Sequence, residues 1–464
     1  MKISFFKQVG KMERNVMKGK NRDSARRLLQ SLAGLLLCLG AVAQSAEQPR
    51  LEGIIMDAKG RPLANANVYV YTAKPREGDA AALCPTCYPE CGKKVRTDEQ
   101  GHFNIEPVNG DLLYRLLVTA RGYRADFIKD ADPLFGSAEA RLKAHKWPDA
   151  PLERKVIGKI IDPEGKPVAG AVLNVDGYKN GQYSSYGGVN GKAETYSATD
   201  ENGEFLITCS NGVMAVSTTI EARGLAKRKI WLDAGTAHLL RMKHGVEVSG
   251  RLVKDGNPVP GVNVSMNTQD RESGVYMRGF DGTTGPDGRF TIPNVPANTR
   301  FYLSTKIKEM AKLGVALSPQ LVSTGGDESV SKVGDLTVRP AFTMRGKVVV
   351  ADGGPLPANT RLYLGLENGA DGQQITVKDD GTFEFKGLPA DAVSLSLRVN
   401  GYRISAKNPN KDWLNEGMIV GRLEGDLENF IIHLEKGDRF ERDSAPPDSA
   451  DAQPRGKLLR GAKL

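Results

Sequence analysis

Residues 199–205 read TDENGEF, and related heptads recur at residues 97–103 (TDEQGHF), 284–290 (TGPDGRF) and 377–383 (VKDDGTF). Each heptad has a glycine at its fifth position, and glycine accepts a positive φ without steric cost. We therefore predict four tight structural turns, at Gly101, Gly203, Gly288 and Gly381. The phenylalanine two residues later is predicted to enter a core, where burial of such a ring contributes roughly 1.5–3 kcal/mol. The acids lack the spacing of an EF-hand loop, so a calcium role for the heptad is disfavoured.

A longer pattern precedes each heptad. It reads LEGIIMDAKGRPLANANVYV (51–70), VIGKIIDPEGKPVAGAVLNV (156–175), VSGRLVKDGNPVPGVNVSM (248–266) and MRGKVVVADGGPLPANTRLYL (344–364). Each copy has a glycine, an alternating apolar strand, a polar turn, a proline and a second strand. A further β-rich segment and a short closing strand follow each heptad. The repeat of about 95 residues suits an autonomous β-sandwich.

The predicted fold class is therefore all-β, with four tandem antiparallel β-sandwich (Ig-like or prealbumin-like) modules after a signal peptide. We place the modules at residues 49–149, 152–243, 244–339 and 340–437. Residues 438–464 are polar and contain prolines, which predicts a disordered tail.

The leader, residues 1–46, explains most of the formal net charge of +9, because basic residues crowd its first thirty positions. An apolar run at 28–43 follows and ends in small residues, which is typical of a secretory signal peptide. The run is too short and interrupted for a good membrane span. Leu37 before Cys38 disfavours lipidation. We expect a secreted, periplasmic or cell-envelope protein without a transmembrane span in its mature chain, and nothing indicates nucleic-acid binding.

The repeat resembles the carboxypeptidase regulatory-like domain family. The resemblance is carried by residues 158–175 with 199–205, and by 53–70 with 97–103; the third and fourth repeats match more loosely. It implies a transthyretin-like (prealbumin-like) sandwich. In metallocarboxypeptidases this domain follows a zinc catalytic domain, which is not visible in this sequence. The one H-x-x-E, from His244 to Glu247, lies at a repeat edge. The resemblance thus implies an accessory, adhesive or scaffold role rather than peptidase activity.

Four cysteines remain after the leader: Cys84, Cys87, Cys91 and Cys209. An even number in an exported chain favours disulfides, with three possible connectivities. A metal site of four thiolates and redox chemistry at the C-x₂-C pair are the alternatives.

Aromatic residues mark two segments between the second strand and the heptad, which read as long loops. Among small polar neighbours such residues can form a recognition surface. The plainer interpretation is a mobile loop with one or two rings resting on the sandwich. The candidate ligand-binding residues are Tyr178, Tyr183, Tyr186 and Tyr196 in repeat two, and Tyr276 and Phe280 in repeat three.

No Ser/His/Asp constellation and no phosphate-binding glycine loop can be argued, so we predict no catalysis and no cofactor. The first functional hypothesis is binding, adhesion or scaffolding at the cell envelope or outside the cell. The second is a carbohydrate-binding array related to starch-binding-like domains. The third is an accessory protein of an enzyme or transport system with a cysteine metal site. Expected partners are a polysaccharide or an envelope protein.

Overall fold

The computed structural model describes residues 48–76, 88–181, 183–269, 276–369, 371–415 and 418–437. Arg50 begins a compact unit that contains all of the described strands. The predicted signal peptide, Cys38, Cys84, Cys87 and the tail from residue 438 lie outside these ranges. Among the described residues, no helix has the length and apolar character needed to cross a membrane.

Modules 1 and 2 each contain two sheets. In module 1 the sheet orders are β4-β1-β7 and β3-β2-β5-β6. Its strands are β1 (Leu51–Asp57), β2 (Asn67–Pro75), β3 (Lys94–Arg96), β4 (His102–Ile105), β5 (Leu112–Thr119), β6 (Asp126–Ala131) and β7 (Ala138–Leu142). In module 2 the orders are β12-β8-β15 and β10-β9-β13-β14, with β11 also paired to β9. Its strands are β8 (Lys155–Ile161), β9 (Val172–Asn180), β10 (Tyr183–Tyr186), β11 (Tyr196–Ala198), β12 (Glu204–Thr208), β13 (Ala215–Glu221), β14 (Arg228–Asp233) and β15 (Ala237–Arg241).

Module 3 has the sheet orders β17-β16-β20, with β24 also on β16, and β19-β18-β21-β23. Its strands are β16 (Val246–Lys254), β17 (Asn257–Pro258), β18 (Asn263–Thr268), β19 (Arg278–Thr283), β20 (Arg289–Val295), β21 (Arg300–Thr305), β22 (Val315–Ala316), β23 (Gln320–Ser323), β24 (Val330–Thr337) and β25 (Arg339–Pro340). β22 and β25 pair separately, so the predicted module limit at 339/340 falls inside β25. A six-residue helix, α1 (Ile307–Lys312), was not predicted.

Module 4 has the sheet orders β29-β26-β34-β31 and β28-β27-β30-β33-β32. Its strands are β26 (Phe342–Val350), β27 (Arg361–Leu366), β28 (Gly372–Thr376), β29 (Thr382–Leu388), β30 (Ala392–Arg398), β31 (Tyr402–Ile404), β32 (Leu414–Asn415), β33 (Met418–Arg422) and β34 (Leu427–Lys436). Short 3₁₀ helices lie at Leu152–Arg154 and Lys411–Trp413.

All four modules share one strand plan. The first strand of each module pairs antiparallel with the heptad strand and parallel with the closing strand, as β8 does with β12 and β15. The parallel pair is the one departure from the predicted antiparallel arrangement, and it arises because the chain crosses to the second sheet before it returns. Separate apolar cores fill the four modules. The predicted fold class, all-β with tandem β-sandwich modules, is confirmed.

The heptad turn locks the first strand in place. Gly203 has a φ of +75°, and its carbonyl accepts a 2.8 Å hydrogen bond from the Ile160 amide. A Cβ on Gly203 would lie 2.5 Å from the Ile160 carbonyl oxygen, so glycine is required by close approach as well as by φ. The other three modules repeat this arrangement, with φ of +78° at Gly101, +76° at Gly288 and +85° at Gly381.

The aspartate of the heptad stabilises the turn and leaves little room for a metal role. Asp200 Oδ1 accepts hydrogen bonds from the Asn202 and Glu204 amides, at 2.9 and 2.8 Å. Asp98 accepts the equivalent two bonds in module 1. Gly285 and Lys378 occupy this position in modules 3 and 4, where a later aspartate takes part instead: Asp287 Oδ1 accepts from the Arg289 amide at 3.1 Å, and Asp380 Oδ1 from the Thr382 amide at 2.8 Å.

The first heptad position carries a buried hydroxyl. Thr199 Oγ1 donates to the Val168 carbonyl at 2.6 Å and accepts from the Ala171 amide at 2.8 Å. In module 4 this position is Val377, which has no hydroxyl. Thr360, which faces Val377 across the strand pair, carries the hydroxyl instead. Thr360 Oγ1 donates to the Pro357 carbonyl at 2.6 Å. The Pro357 carbonyl, which corresponds to the Val168 carbonyl of module 2, therefore receives its hydrogen bond from the opposite strand.

Candidate binding surface

A group of side chains on the outer face of a module 2 sheet, here called the aromatic surface, comprises the exposed Tyr186 and the half-buried Lys179 and Trp231. Strand register places Tyr186, Gly177, Ser217 and Trp231 in one row across the sheet. The neighbouring row is buried in the core, so the aromatic row faces away from it. Gly177 and Ser217 are small, which lets the two rings approach each other above them.

The aromatic surface combines two packed aromatic rings with one lysine side chain. The Tyr186 and Trp231 ring centroids are 5.8 Å apart with an edge-to-face geometry, and Lys179 Nζ lies 4.5 Å from the Trp231 centroid. Tyr186 is 63% exposed. Its side chain thus offers a ring face to a ligand at little desolvation cost.

A polar cluster borders the aromatic surface on the same sheet. The Asp176 carboxylate accepts hydrogen bonds from Ser217 Oγ and Lys229 Nζ, both at 2.8 Å. These partners hold the carboxylate in place, with its charge offset by Lys229.

The six predicted ligand-binding aromatics divide between different environments. Tyr178 and Phe280 are core residues; the Phe280 and Phe301 centroids are 5.4 Å apart. Tyr196 lies against Phe127 of module 1, with a centroid distance of 6.3 Å. Tyr276 is half-buried in module 3. Tyr186 lies on the outer face, where its partner Trp231 was missed. Tyr183, three residues earlier on the same strand, lies on the opposite face, with its ring centroid 6.0 Å from that of Tyr178.

The segment around these tyrosines is a hairpin rather than a long loop. β9 extends to Asn180, and β10 (Tyr183–Tyr186) folds back on it. The polar composition of the segment concealed the strands. Trp231 could have been found from its sequence neighbours Ile230 and Leu232, since alternation in β14 directs it away from Leu232, which is buried.

Modules 1 and 2 share an apolar junction. Tyr69 and Leu117 of module 1 pack with Val172 of module 2, and all three are buried. Arg115 lies 3.7 Å from the Phe127 ring centroid at its margin, and the Tyr71 hydroxyl donates to Glu221 Oε2 at 3.4 Å. The two modules therefore contact through sheet faces, not through a linker alone.

A buried carboxylate reinforces this junction. The Glu194 side chain of module 2 is fully buried and accepts from the Lys146 amide at 2.8 Å and the Thr208 amide at 2.9 Å. His145 Nδ1 lies 3.0 Å from Glu194 Oε2. Burial alone would raise the pKa of Glu194, but the hydrogen bonds from His145 and the two amides outweigh it, so the net pKa is lowered. Glu194 thus anchors the segment that connects modules 1 and 2.

The same junction borders a cleft of about 960 Å³. Its walls combine basic and acidic side chains. Residues that line it include Arg121, Arg124, His145, Lys159, Glu201 and His238.

Ionic contacts link modules 2 and 3. His244 Nε2 lies 3.1 Å from Glu164 Oε1 of module 2 and 3.3 Å from Glu328 Oε1 of module 3. The hydrogen bond to Glu164 raises the pKa of His244, and the nearby acids of module 3 add to the effect. Lys227 also crosses the junction, donating to the Arg278 and Gly279 carbonyls at 3.2 Å each.

Helix α1 joins modules 3 and 4. Ile307, at its start, is buried in the core of module 4, and its amide donates to Asp371 Oδ2 at 2.7 Å. Gly387 of module 4 packs against Ala311; a Cβ there would lie 2.5 Å from the Ala311 Cβ. This apolar insertion gives the third junction a shared core.

The cysteines that the structure describes lie in different cores. Cys91 is buried in module 1, and Cys209 is a free thiol buried in module 2. All three predicted disulfide connectivities require Cys209, whereas the structure gives it no disulfide. Burial raises the pKa of Cys209 to about 12, with Glu194 adding to the shift. Among the residues that the structure describes, no three His, Cys, Asp or Glu side chains are grouped so that they could hold a metal ion.

No protein-family model and no curated protein matches this sequence. Similar solved structures include the Bacillus anthracis TIE protein, at 11% identity, 85% coverage of this chain, 76% coverage of the other and a TM-score of 0.18. GBS52, the minor pilin of Streptococcus agalactiae, is 14% identical, with 45% coverage of this chain, 100% coverage of the other and a TM-score of 0.22. A streptococcal ancillary pilin is 16% identical, with 63% coverage of this chain, 99% coverage of the other and a TM-score of 0.20. These TM-scores are too low to support statements about function.

Proposed function

We propose that this chain is an exported, non-catalytic scaffold of the cell envelope, whose four β-sandwich modules are held in a fixed arrangement. The proposed module limits are residues 49–149, 152–243, 244–339 and 340–437, following a cleaved leader at 1–46. The observation that carries the proposal is that all three junctions contain specific side-chain contacts. Flexibly linked modules need no such contacts.

The junctions suit a scaffold because they do not all depend on one kind of interaction. The first buries Tyr69, Leu117 and Val172. The second is ionic around His244, and the third inserts Ile307 into a neighbouring core. High salt would weaken the ionic contacts of the second junction and leave the two apolar junctions in place.

Export is tested by fractionating cells that produce the full chain and determining the amino terminus of the product. We expect the protein in the periplasmic, surface or culture fraction, with the leader removed close to residue 46. An intact leader on a cytoplasmic product would contradict the proposal. The cysteine metal site, as the accessory alternative, is tested by metal analysis with a thiol count; stoichiometric zinc would favour it.

A second candidate function is polysaccharide binding by the aromatic surface. Sugar rings present apolar C–H faces, which pack on exposed aromatic rings, and hydroxyl edges, which pair with polar groups. Tyr186 beside Trp231, with Lys179 and the Asp176 cluster close by, provides both kinds of group.

Affinity electrophoresis through polysaccharide gels tests this candidate. Retardation of the wild-type protein should be lost on Tyr186→Ala and on Trp231→Ala. Phe135→Ala is the matched control, because Phe135 is 74% exposed on module 1, away from the aromatic surface. Absence of wild-type retardation by any polysaccharide, or equal loss in the control, would reject the candidate.

A further inference from the structure

The outer face of one module 2 sheet carries an apolar row of side chains. Strand register places Leu206, Ile157 and Ala237 side by side on β12, β8 and β15. Strand alternation turns this row away from the core, which takes the neighbouring residues Phe205 and Ile207. Ile157 and Leu206 are only half-buried, and both line the cleft between modules 1 and 2. The cleft therefore has an aliphatic floor.

The equivalent row is polar in the other modules. In module 4, for example, it is a set of ion pairs, with Arg345 2.7 Å from Glu384 and 2.5 Å from Glu428. The matching residues, counted from the glycine of the first strand, are Glu52 and Asn104 in module 1, and Ser249, Thr291 and Lys332 in module 3. In this row an aliphatic surface is thus specific to the module whose sheet borders the cleft.

The turn between β5 and β6 of module 1 forms the wall beside this floor. His145 connects the turn to module 2: its amide donates to the Gly122 carbonyl at 3.4 Å, and its Nδ1 lies 3.0 Å from Glu194 Oε2. Glu194 also accepts from the Thr208 amide at 2.9 Å. Thr208 lies two residues after Leu206 on the same face of β12, so this chain of contacts places the turn next to the aliphatic floor.

Two arginines of the wall have no counter-ion. Arg121 and Arg124 both line the cleft, and in the described part of the chain neither forms an ion pair. Arg124 Nε is inaccessible to solvent and finds no hydrogen-bond acceptor. An inaccessible donor without a partner is costly, and more so on a charged group. An acceptor supplied by a ligand would remove this cost.

The acids that line the cleft are engaged by other groups. Asp200 Oδ1 accepts hydrogen bonds from the amides of the heptad turn. Glu201 pairs with Arg96, and Glu204 faces Lys159 across the strand pair. The two arginines of the wall therefore remain as uncompensated charges, which favours an anion.

We propose that the cleft binds a small amphiphilic anion, in which a carboxylate or phosphate group is carried by an aliphatic chain. The head group pairs with Arg124 and Arg121, because the guanidinium fork matches both kinds of oxyanion. The aliphatic chain covers Ile157 and Leu206. A cleft of about 960 Å³ suits a ligand of this size. The inference goes beyond the scaffold function and does not depend on it.

Calorimetric titration of the full chain with octanoate and with octyl phosphate tests the site. We expect one molecule bound per chain with a Kd on the order of 1 mM, and the tighter of the two ligands identifies the head group. Hexanoate should bind more weakly than octanoate, by up to about fourfold for each methylene removed. Gluconate, a carboxylate with a hydroxylated chain, should bind more weakly still, because it cannot cover the aliphatic floor.

Three variants locate the binding. Arg124→Gln should weaken octanoate binding about tenfold or more, because it removes a charged donor. Leu206→Thr introduces the residue type that module 3 has at this position, and should reduce the difference between octanoate and hexanoate. Arg361→Gln is the matched control: this arginine is exposed on β27 of module 4, and its loss should leave binding unchanged.

Leu206→Thr keeps the test decisive if Arg124→Gln does not fold, since Thr291 occupies the same strand position in module 3. The proposal would be overturned if the wild-type chain bound neither octanoate nor octyl phosphate at about ten times the expected Kd. Gluconate binding as tight as octanoate binding would contradict the role of the aliphatic floor. Wild-type affinity and chain-length dependence in both cleft variants would place the binding elsewhere and would also reject the proposal.

Discussion

The phenyl ring of Phe205 lies over Gly158, its partner in the adjacent strand. A Cβ built on Gly158 would be 2.8 Å from the ring Cζ and 2.4 Å from the His238 carbonyl oxygen. The same glycine–phenylalanine pairing occurs in the other modules, at Gly53 with Phe103, Gly250 with Phe290, and Gly346 with Phe383. The aromatic ring of the heptad therefore occupies the space that the missing side chain leaves in the first strand.

Gly158→Ala should destabilise module 2 by about 1–3 kcal/mol, because the methyl group meets a backbone carbonyl that cannot move without disturbing the parallel pair. Denaturant unfolding monitored by tryptophan fluorescence measures this change. Gly188→Ala is the control, since its Cβ would meet only the end of the Asn190 side chain, at 3.9 Å. Equal stability of the two variants would refute the pairing as a packing constraint.

Thr199→Val should cost about 1–3 kcal/mol, since it leaves the Val168 carbonyl and the Ala171 amide without the buried hydroxyl. The double variant Thr199→Val with Ala171→Thr copies the arrangement of Val377 and Thr360, and should recover part of the loss. Denaturant midpoints of the two variants supply the comparison. A double variant less stable than Thr199→Val would show that the hydroxyl cannot be moved across the strands.

The repeated heptad predicted the fold because it combines a positive-φ glycine with a core phenylalanine, and local chemistry alone decides both. Two features could not be predicted in that way. The direction of the closing strand depends on which sheet the chain enters before it, and helix α1 is stabilised by the burial of Ile307 in another module. Both depend on contacts between residues far apart in the sequence.

The candidate site was predicted less well than the fold. Tyr178 and Phe280 read as exposed loop residues, but strand alternation directs both into cores. Tyr186 was identified by its polar neighbours, whereas Trp231 sits in a segment with no such signal.

Glu194→Gln should loosen the junction between modules 1 and 2 and lower stability by about 1–3 kcal/mol, because an amide NH₂ would face a backbone N–H donor. The wild-type junction should also weaken in acid. The folded-state pKa of Glu194 is lowered, so its contribution is present above the unfolded pKa and is lost as pH falls through the folded value. Thermal unfolding at pH 3–7 should show this loss in the wild type, and a smaller one in Glu194→Gln. Equal acid sensitivity would contradict the role given to this carboxylate.

His244 should give the opposite pH dependence at the junction of modules 2 and 3. Its folded-state pKa is raised, so the ionic contact is complete below the unfolded pKa and is lost as pH rises through the folded value. We expect protease cleavage near residues 243–245 to accelerate between about pH 6 and 8.5, and less so at high salt. After correction for the pH dependence of the protease itself, the cleavage rate of the His244→Gln variant should be constant over this range.

Small-angle X-ray scattering of the mature full-length chain tests the fixed arrangement of modules most directly. A single arrangement of the four modules, with the Tyr69–Leu117–Val172, His244 and Ile307 junctions intact, should reproduce the scattering of the wild type. Replacing Leu117 and Ile307 by Asp should broaden the pair-distance distribution of the molecule. A wild-type profile that can be fitted only by a broad ensemble of module orientations would contradict the account.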